Sequence, residues 1–274
     1  MDTGTQEGLK EDVRDFWNRA ACGEELFLSA DDAAGFEREA EIRYEIEPYI
    51  LDFADFGSAR GLKVLEIGVG LGADHVEFAK AGADLTGIDL TDRAIALTRE
   101  RVRLLGLKSE LMVADAERLP FEDGTFDLVY SWGVIHQSPD TPAAAREIMR
   151  VLKSGGRFAV MIYQRQSIIG YMLWLRYGLL AGKPWTSLDT IYAKYLESPG
   201  TRAYSPAEGA ALFPGATEVS VRSELTHGDL LETDVGQRHR GPLLKFARAI
   251  WPRWFIRKFM PNRGLFLLIK GRKP

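Results

Sequence analysis

Apolar and polar positions change period several times along this chain, and each change marks an element. Val13, Phe16, Trp17 and Ala20 recur at helical spacing, and a second helical segment runs from Phe36 to Phe56 with a break at Pro48. At Lys63 the pattern shortens to a buried apolar strand, Lys63 to Ile67. Gly68, Gly70 and Gly72 then alternate, and a helical pattern continues through Val76, Phe78 and Ala79. Further strands are predicted at Asp84 to Asp89, Ser109 to Val113, Phe126 to Ser131 and Phe158 to Tyr163. Between them lie helices from Asp92 to Leu105, capped by Thr91, and to Leu152, with Thr141 as cap and Pro142 as first helical residue. Ser205-Pro206-Ala207-Glu208 reads as a capping box. Val219 to Leu225 and Leu265 to Lys270 read as a sixth and seventh strand, paired antiparallel at the sheet edge. Alternation of strand and helix predicts an α/β fold, a Rossmann-like sheet of seven strands with helices on both faces.

Bulk composition changes this picture little. The chain has 274 residues, 46% hydrophobic and 27% charged, which is ordinary for a globular enzyme. A net charge of −4 argues against a general nucleic-acid binder. Its distribution is uneven: residues 1–60 carry 16 acids and 6 bases, residues 229–274 carry 3 acids and 11 bases. The ends are expected to attract each other, or the tail to meet an anionic surface. Cys22 is the single cysteine, which excludes an internal disulfide, a cysteine zinc site and arsenite-type methylation. No histidine pair has metal-ligand spacing, so no metal is expected. With no apolar signal region at the N-terminus, a cytoplasmic location is expected.

The chemistry begins at Glu66-Ile67-Gly68-Val69-Gly70-Leu71-Gly72. Glycines after a buried strand let backbone approach a nucleotide closely. Gly68, Gly70 and Ala73 also satisfy the dinucleotide fingerprint, so an NAD-dependent oxidoreductase stays open on spacing alone. Glu66 favours a cationic cofactor, because a carboxylate is awkward beside a pyrophosphate and welcome beside an ammonium or sulfonium. Asp89, 21 residues after Gly68 at the end of the second strand, can accept from both ribose hydroxyls and serves either cofactor.

Glu66-x-Gly68-x-Gly70-x-Gly72, then Asp115-Ala116 after the third strand, then Phe126-Asp127-Leu128-Val129-Tyr130-Ser131 leading to Val134-Ile135-His136-Gln137-Ser138-Pro139-Asp140, and Leu152-Lys153-Ser154-Gly155-Gly156-Arg157-Phe158 follow in series. Together they resemble class I S-adenosylmethionine (SAM) methyltransferases, the small-molecule group that includes quinone-pathway, sugar and natural-product enzymes. The resemblance covers about residues 60–163. It implies SAM as cofactor, held by Glu66, Gly68, Gly70, Gly72, Asp89, Leu90, Asp115, Ala116 and Ser131, with Asp115 accepting from the adenine amino group. It also implies an N-terminal helical lid over residues 1–60, with Trp17 and Tyr44 on it, and a methyltransferase domain over 61–274. A substrate cap is expected at about 164–204 and a basic aromatic insertion at about 229–263.

Methyl transfer to an oxygen needs alignment and a place for the acceptor's proton. His136, just beyond the fourth strand, is the first candidate base, and His227 at the end of the sixth strand is the second. His136 is followed by Gln137 where related enzymes often carry a second histidine. His75 is expected to be structural and His239 solvated. The expected function is SAM-dependent methylation of a small-molecule acceptor, most readily at oxygen. The alternatives are a membrane-associated lipid or quinone acceptor and a SAM-binding protein without turnover. Residues Arg238 to Arg263 motivate the first of these: an amphipathic helix from Pro242 to Ile250 and then Trp251-Pro252-Arg253-Trp254-Phe255-Ile256-Arg257-Lys258-Phe259. Peripheral membrane contact through this tail competes with a plainer reading, in which the aromatics pack on the sheet edge and the bases pair with the acidic N-terminal helices.

Overall fold

A computed structural model of the chain describes residues 3–232, 248–249 and 251–274. The helix expected from Pro242 to Ile250 lies outside the described residues except for Arg248 and Ala249, and so does His239. Seven strands form one sheet in the order β3-β2-β1-β4-β5-β7-β6. They are β1 Lys63–Ile67, β2 Asp84–Asp89, β3 Glu110–Val113, β4 Phe126–Trp132, β5 Leu152–Tyr163, β6 Thr217–Glu224 and β7 Phe266–Arg272. β1 to β5 pair in parallel, β7 runs antiparallel to β6 as the sequence predicts, and β7 also runs antiparallel to β5.

The helices are α1 Thr3–Arg19, α2 Glu24–Phe27, α3 Ala33–Ile46, α4 Tyr49–Ala54, α5 Ala73–Ala81, α6 Asp92–Leu104, α7 Thr141–Val151, α8 Ile168–Trp174, α9 Leu188–Tyr195, α10 Pro206–Ala211, α11 His227–Leu230 and α12 Arg253–Phe259. The break between α3 and α4 falls at Glu47-Pro48, where proline cannot continue the helix. One cap differs from expectation. Asp140, not Thr141, caps α7, its carboxylate accepting from the Ala143 N–H at 2.9 Å. An ionised acceptor suits the positive end of a helix better than a hydroxyl does.

Alternation along the strands divides the core into two layers. Val64, Leu128, Tyr130, Ala159, Met161, Tyr163 and Phe266 face α4, α5, α8 and α9. Leu65, Ile67, Val129, Phe158, Val160 and Ile162 face α7 and the Leu212–Phe213 corner. The first layer carries large aromatics at the carboxyl ends of β4 and β5, where ligands of open α/β sheets bind.

Two buried ion pairs tie the N-terminal helices to this frame. Arg101 of α6 donates to Glu39 of α3 at 2.6 Å, and also to the carbonyls of Leu71 and Phe36. Asp74 of α5 accepts two bonds from Arg43, at 3.1 and 2.8 Å, and one each from Tyr44 and Tyr130. Burial pushes the Asp74 carboxyl up, yet Arg43 and the two phenols outweigh it and hold it below the usual carboxylate range. α3 is therefore fixed beside the glycine turn by fully paired charges.

Candidate functional site

β1 ends at the glycine turn, where left-handed backbone and close approach favour glycine. Gly68 has φ +84°, and a Cβ on it would lie 2.0 Å from the Val134 side chain. Gly70 has φ +53°, and a Cβ on it would project into open space. That space is a cavity of about 420 Å³ running across the carboxyl ends of β1, β2, β4 and β5.

Eight of the nine expected cofactor residues line it: Glu66, Gly68, Gly70 and Gly72 from the turn, Asp89 and Leu90 after β2, and Asp115 and Ala116 after β3. Asp89 is oriented by the Gly70 N–H at 3.2 Å, the Thr91 N–H at 3.0 Å and the Thr91 hydroxyl at 2.8 Å. Its carboxylate is thus locked at the cavity wall with acceptor capacity for hydroxyls. Ser131 is the exception. Its side chain is fully buried and donates to the Ile67 carbonyl at 3.1 Å, so it ties β4 to β1 and does not reach the cavity.

Glu66 has an unforeseen partner. His75 Nδ1 lies 2.8 Å from Glu66 Oε2, and His75 Nε2 lies 2.6 Å from Ser109 Oγ, which donates to the Leu85 carbonyl at 3.0 Å. Glu66, His75 and Ser109 thus form one buried hydrogen-bonded chain that ends on the Leu85 carbonyl. Burial drives both groups the same way, raising the Glu66 carboxyl well above its usual range and lowering His75 to about 3. Burial disfavours the charged form of each, so Glu66, expected from the sequence as a bare carboxylate beside a cationic cofactor, is engaged instead by His75, which has the structural place the sequence suggested.

Lys10 of α1 bridges Asp115 and Glu117, both at 2.5 Å. Trp17 of α1 donates its indole N–H to Gln137 Oε1. Gln137 in turn donates to the Gly133 carbonyl at 3.1 Å and to Glu197 at 3.3 Å, and accepts from Ser198 at 2.9 Å. Gln137 thereby joins α1, the loop after β4 and the segment after α9. Sequence reading passed over it because glutamine carries no proton-transfer signature.

The structure corrects the first base assignment. The His136 ring is fully buried behind Tyr163, 4.0 Å away between ring centroids, and does not line the cavity. Among the described residues neither ring nitrogen has a hydrogen-bond partner, and burial lowers the imidazole to about 3. In the turn after β4 it is Gln137, one residue on, that faces the cavity. His227, at the start of α11, does line the cavity, with Nδ1 3.7 Å from Glu232. Trp132, Tyr163 and Phe266 form an aromatic floor, with Tyr163 and Phe266 stacked at 5.8 Å and 5°. The surface of Cys22 is exposed toward the cavity, while enclosure by the surrounding protein and nearby Glu197 push its thiol up to about 12.

A glycine cradle, a ribose-type acid and an adenine-type acid along one wall make this an adenosine-cofactor fold. Comparison with known proteins narrows the class. Residues 65–160 match the methyltransferase domain family. The demethylmenaquinone methyltransferase of Bacillus cytotoxicus is 32% identical over 170 residues, 58% of this chain and 67% of that protein. The sterol 4-C-methyltransferase strm-1 of Caenorhabditis elegans is 35% identical over 98 residues, 35% of this chain and 29% of that one. An uncharacterized protein of Mycobacterium tuberculosis is 32% identical over 48% of both chains. This chain thus spans half or less of the length of the last two. Among solved structures, phosphoethanolamine N-methyltransferase 2 of Haemonchus contortus superposes with TM-score 0.63 at 18% identity, over 96% of this chain and 60% of that one, which bears on the fold alone. The chain belongs to the class I SAM-dependent methyltransferases, and SAM is its cofactor.

Proposed function

We propose that this protein transfers a methyl group from SAM to an oxygen of a small, largely apolar acceptor. The observation that carries the proposal is that one cavity joins the cofactor wall to the aromatic floor, with the His227 imidazole on the same surface. Bound along the Gly68–Gly72 wall, SAM supplies an electrophilic methyl on a sulfonium sulfur that leaves as a neutral thioether. The chain's own residues supply the rest. Trp132, Tyr163 and Phe266 orient an apolar acceptor by ring contact. His227 takes the hydroxyl proton as the acceptor's O–CH₃ bond forms, and Glu232 beside Nδ1 stabilises the resulting imidazolium. α1 closes the adenine side through Lys10 and the acceptor side through Trp17, acting as a lid that excludes water.

Relatives named for demethylmenaquinone and sterol support an acceptor of apolar kind. The test is incubation of the purified protein with methyl-labelled SAM and a panel of hydroxylated aromatic and prenylated acceptors. Label recovered as a methyl ether supports oxygen transfer. Label on carbon or nitrogen overturns oxygen as the accepting atom, and binding of SAM with no transfer to any acceptor returns the protein to a non-catalytic binder.

A further inference from the structure

The cavity wall made by α8 and α11 continues outward into a surface of unusual composition. Ile169 and His227 line the cavity, and buried Asp229 holds their helices together, accepting from the backbone N–H of Ile169, Thr226 and Leu265. α12 docks on this same unit. Trp251 donates to the Asp229 carbonyl, Arg253 to the Leu231 carbonyl, and Ile256 packs with Ile168 and Leu230. Arg257 pairs with Glu232, the residue beside His227. For Arg253 and Arg257 the plainer sequence reading does not hold, since both engage α11 and its flank instead of the acidic N-terminal helices, while Arg238, Arg240 and Lys245 lie outside the described residues.

The outward side of α12 is apolar. Trp254 is 68% exposed and Phe259 57%, with Phe255 beside them, so these rings do not pack on the sheet edge. Every formal charge interspersed with these rings is positive. Residues 251–264 contain Arg253, Arg257, Lys258 and Arg263 and no acid; Arg257 is paired with Glu232, while Lys258 and Arg263 are exposed. Lys258 Nζ lies 4.9 Å from the Trp254 ring and 5.4 Å from the Phe259 ring, placing a cation among the exposed aromatics.

We infer that the exposed side of α12 docks on an anionic lipid bilayer, bringing the cavity beside α11 to a lipid-embedded acceptor. The acceptor clause rests on the methyltransferase reading above; the membrane contact does not. Tryptophan and phenylalanine partition into the headgroup boundary, and lysine or arginine near an anionic surface adds electrostatic attraction. Charge complementarity selects a lipid surface over a neutral apolar partner. Contact is peripheral, because no helix among the described residues is long and apolar enough to cross a membrane.

Flotation with phosphatidylcholine vesicles, with and without phosphatidylglycerol, tests this. The full chain should float with the anionic vesicles at low salt and progressively lose binding as salt screens the charges. Trp254→Ser combined with Phe255→Ser and Phe259→Ser should lower flotation at least tenfold. Lys258→Glu with Arg263→Glu, which touches only exposed side chains, provides the same test should the triple variant fold poorly. A SAM-induced rise in melting temperature, unchanged in both variants, shows the fold and cofactor site intact. A chain that stays in solution at every lipid composition overturns the inference, as does equal flotation of wild type and both variants. So does a stable dimer that the triple variant breaks without any vesicle binding. Vesicle binding without a SAM response would leave the surface standing and remove the methyltransferase reading instead.

Discussion

The Lys10 ammonium lies 2.5 Å from Asp115 Oδ2, joining the first helix to the loop after β3 across 105 residues of sequence. Asp115 is the acid expected to receive the adenine amino group, so closure of α1 and cofactor binding meet at one carboxylate. Both side chains are partly exposed, which caps the value of the pair near 1 kcal/mol. We expect Lys10→Met to weaken binding of SAM, or of its demethylated product, by roughly two- to fivefold in titration calorimetry. Tighter binding in the variant would mean that Lys10 competes with the adenine instead of closing over it.

Cofactor choice is read by thermal denaturation. A ligand that binds only the folded state raises its melting temperature by mass action. SAM should do so and NAD should not. Asp89→Ala should remove most of the SAM shift, because the Gly70 and Thr91 hydrogen bonds hold that carboxylate at the wall for no other evident purpose. An undiminished shift would place the ribose elsewhere.

The two candidate bases separate cleanly. His227→Ala should lower turnover on the true acceptor by roughly 10²–10⁴ while SAM affinity holds. His136→Leu should leave turnover within a few fold, since the His136 ring does not line the cavity. Reversal of these two results would restore His136 to catalysis.

His136 has a second signature, in acid. Its folded-state pKa is depressed to about 3 against about 6.5 for an ordinary imidazole. Between those values the unfolded chain binds a proton that the folded chain refuses. The contribution of neutral His136 is therefore intact above pH ~6.5 and is lost as pH falls toward ~3, by at most about 1.4 kcal/mol per pH unit. Urea denaturation from pH 7 to 4 should show a shallower acid loss for His136→Leu than for wild type. Parallel curves would mean that His136 is solvated.

Arg101→Ala tests the anchor of α3. Removing the guanidinium leaves the Glu39 carboxylate buried without its partner, and the Leu71 and Phe36 carbonyls lose a donor. A loss of about 3–5 kcal/mol in unfolding free energy is expected. A change under about 1 kcal/mol would show that water replaces the arginine and that α3 is not fixed by this pair.

What the sequence alone determined is local. The boundaries of β1 and β2 follow from runs of apolar residues, and the capping box at Ser205–Glu208 from spacing within four residues. The glycine turn, Asp89 and Asp115 were legible because each lies at a set distance from the end of a strand, and strand order then brings those ends together. Tertiary structure decided which side chains face the cavity. His136 and Gln137 are adjacent, yet only Gln137 reaches it, because the turn after β4 has no period from which direction can be read. Ser131 turned inward to Ile67 because its strand is buried on both faces. Lys10, Trp17, Arg43 and Arg253 have partners 22 to 120 residues away, and no local pattern encodes a contact over such separations. The exposed rings of α12 were ambiguous for the same reason: an aromatic-basic run reads alike whether packed or bare, and only the docking of Ile256 and Trp251 against α11 turned Trp254 and Phe259 outward.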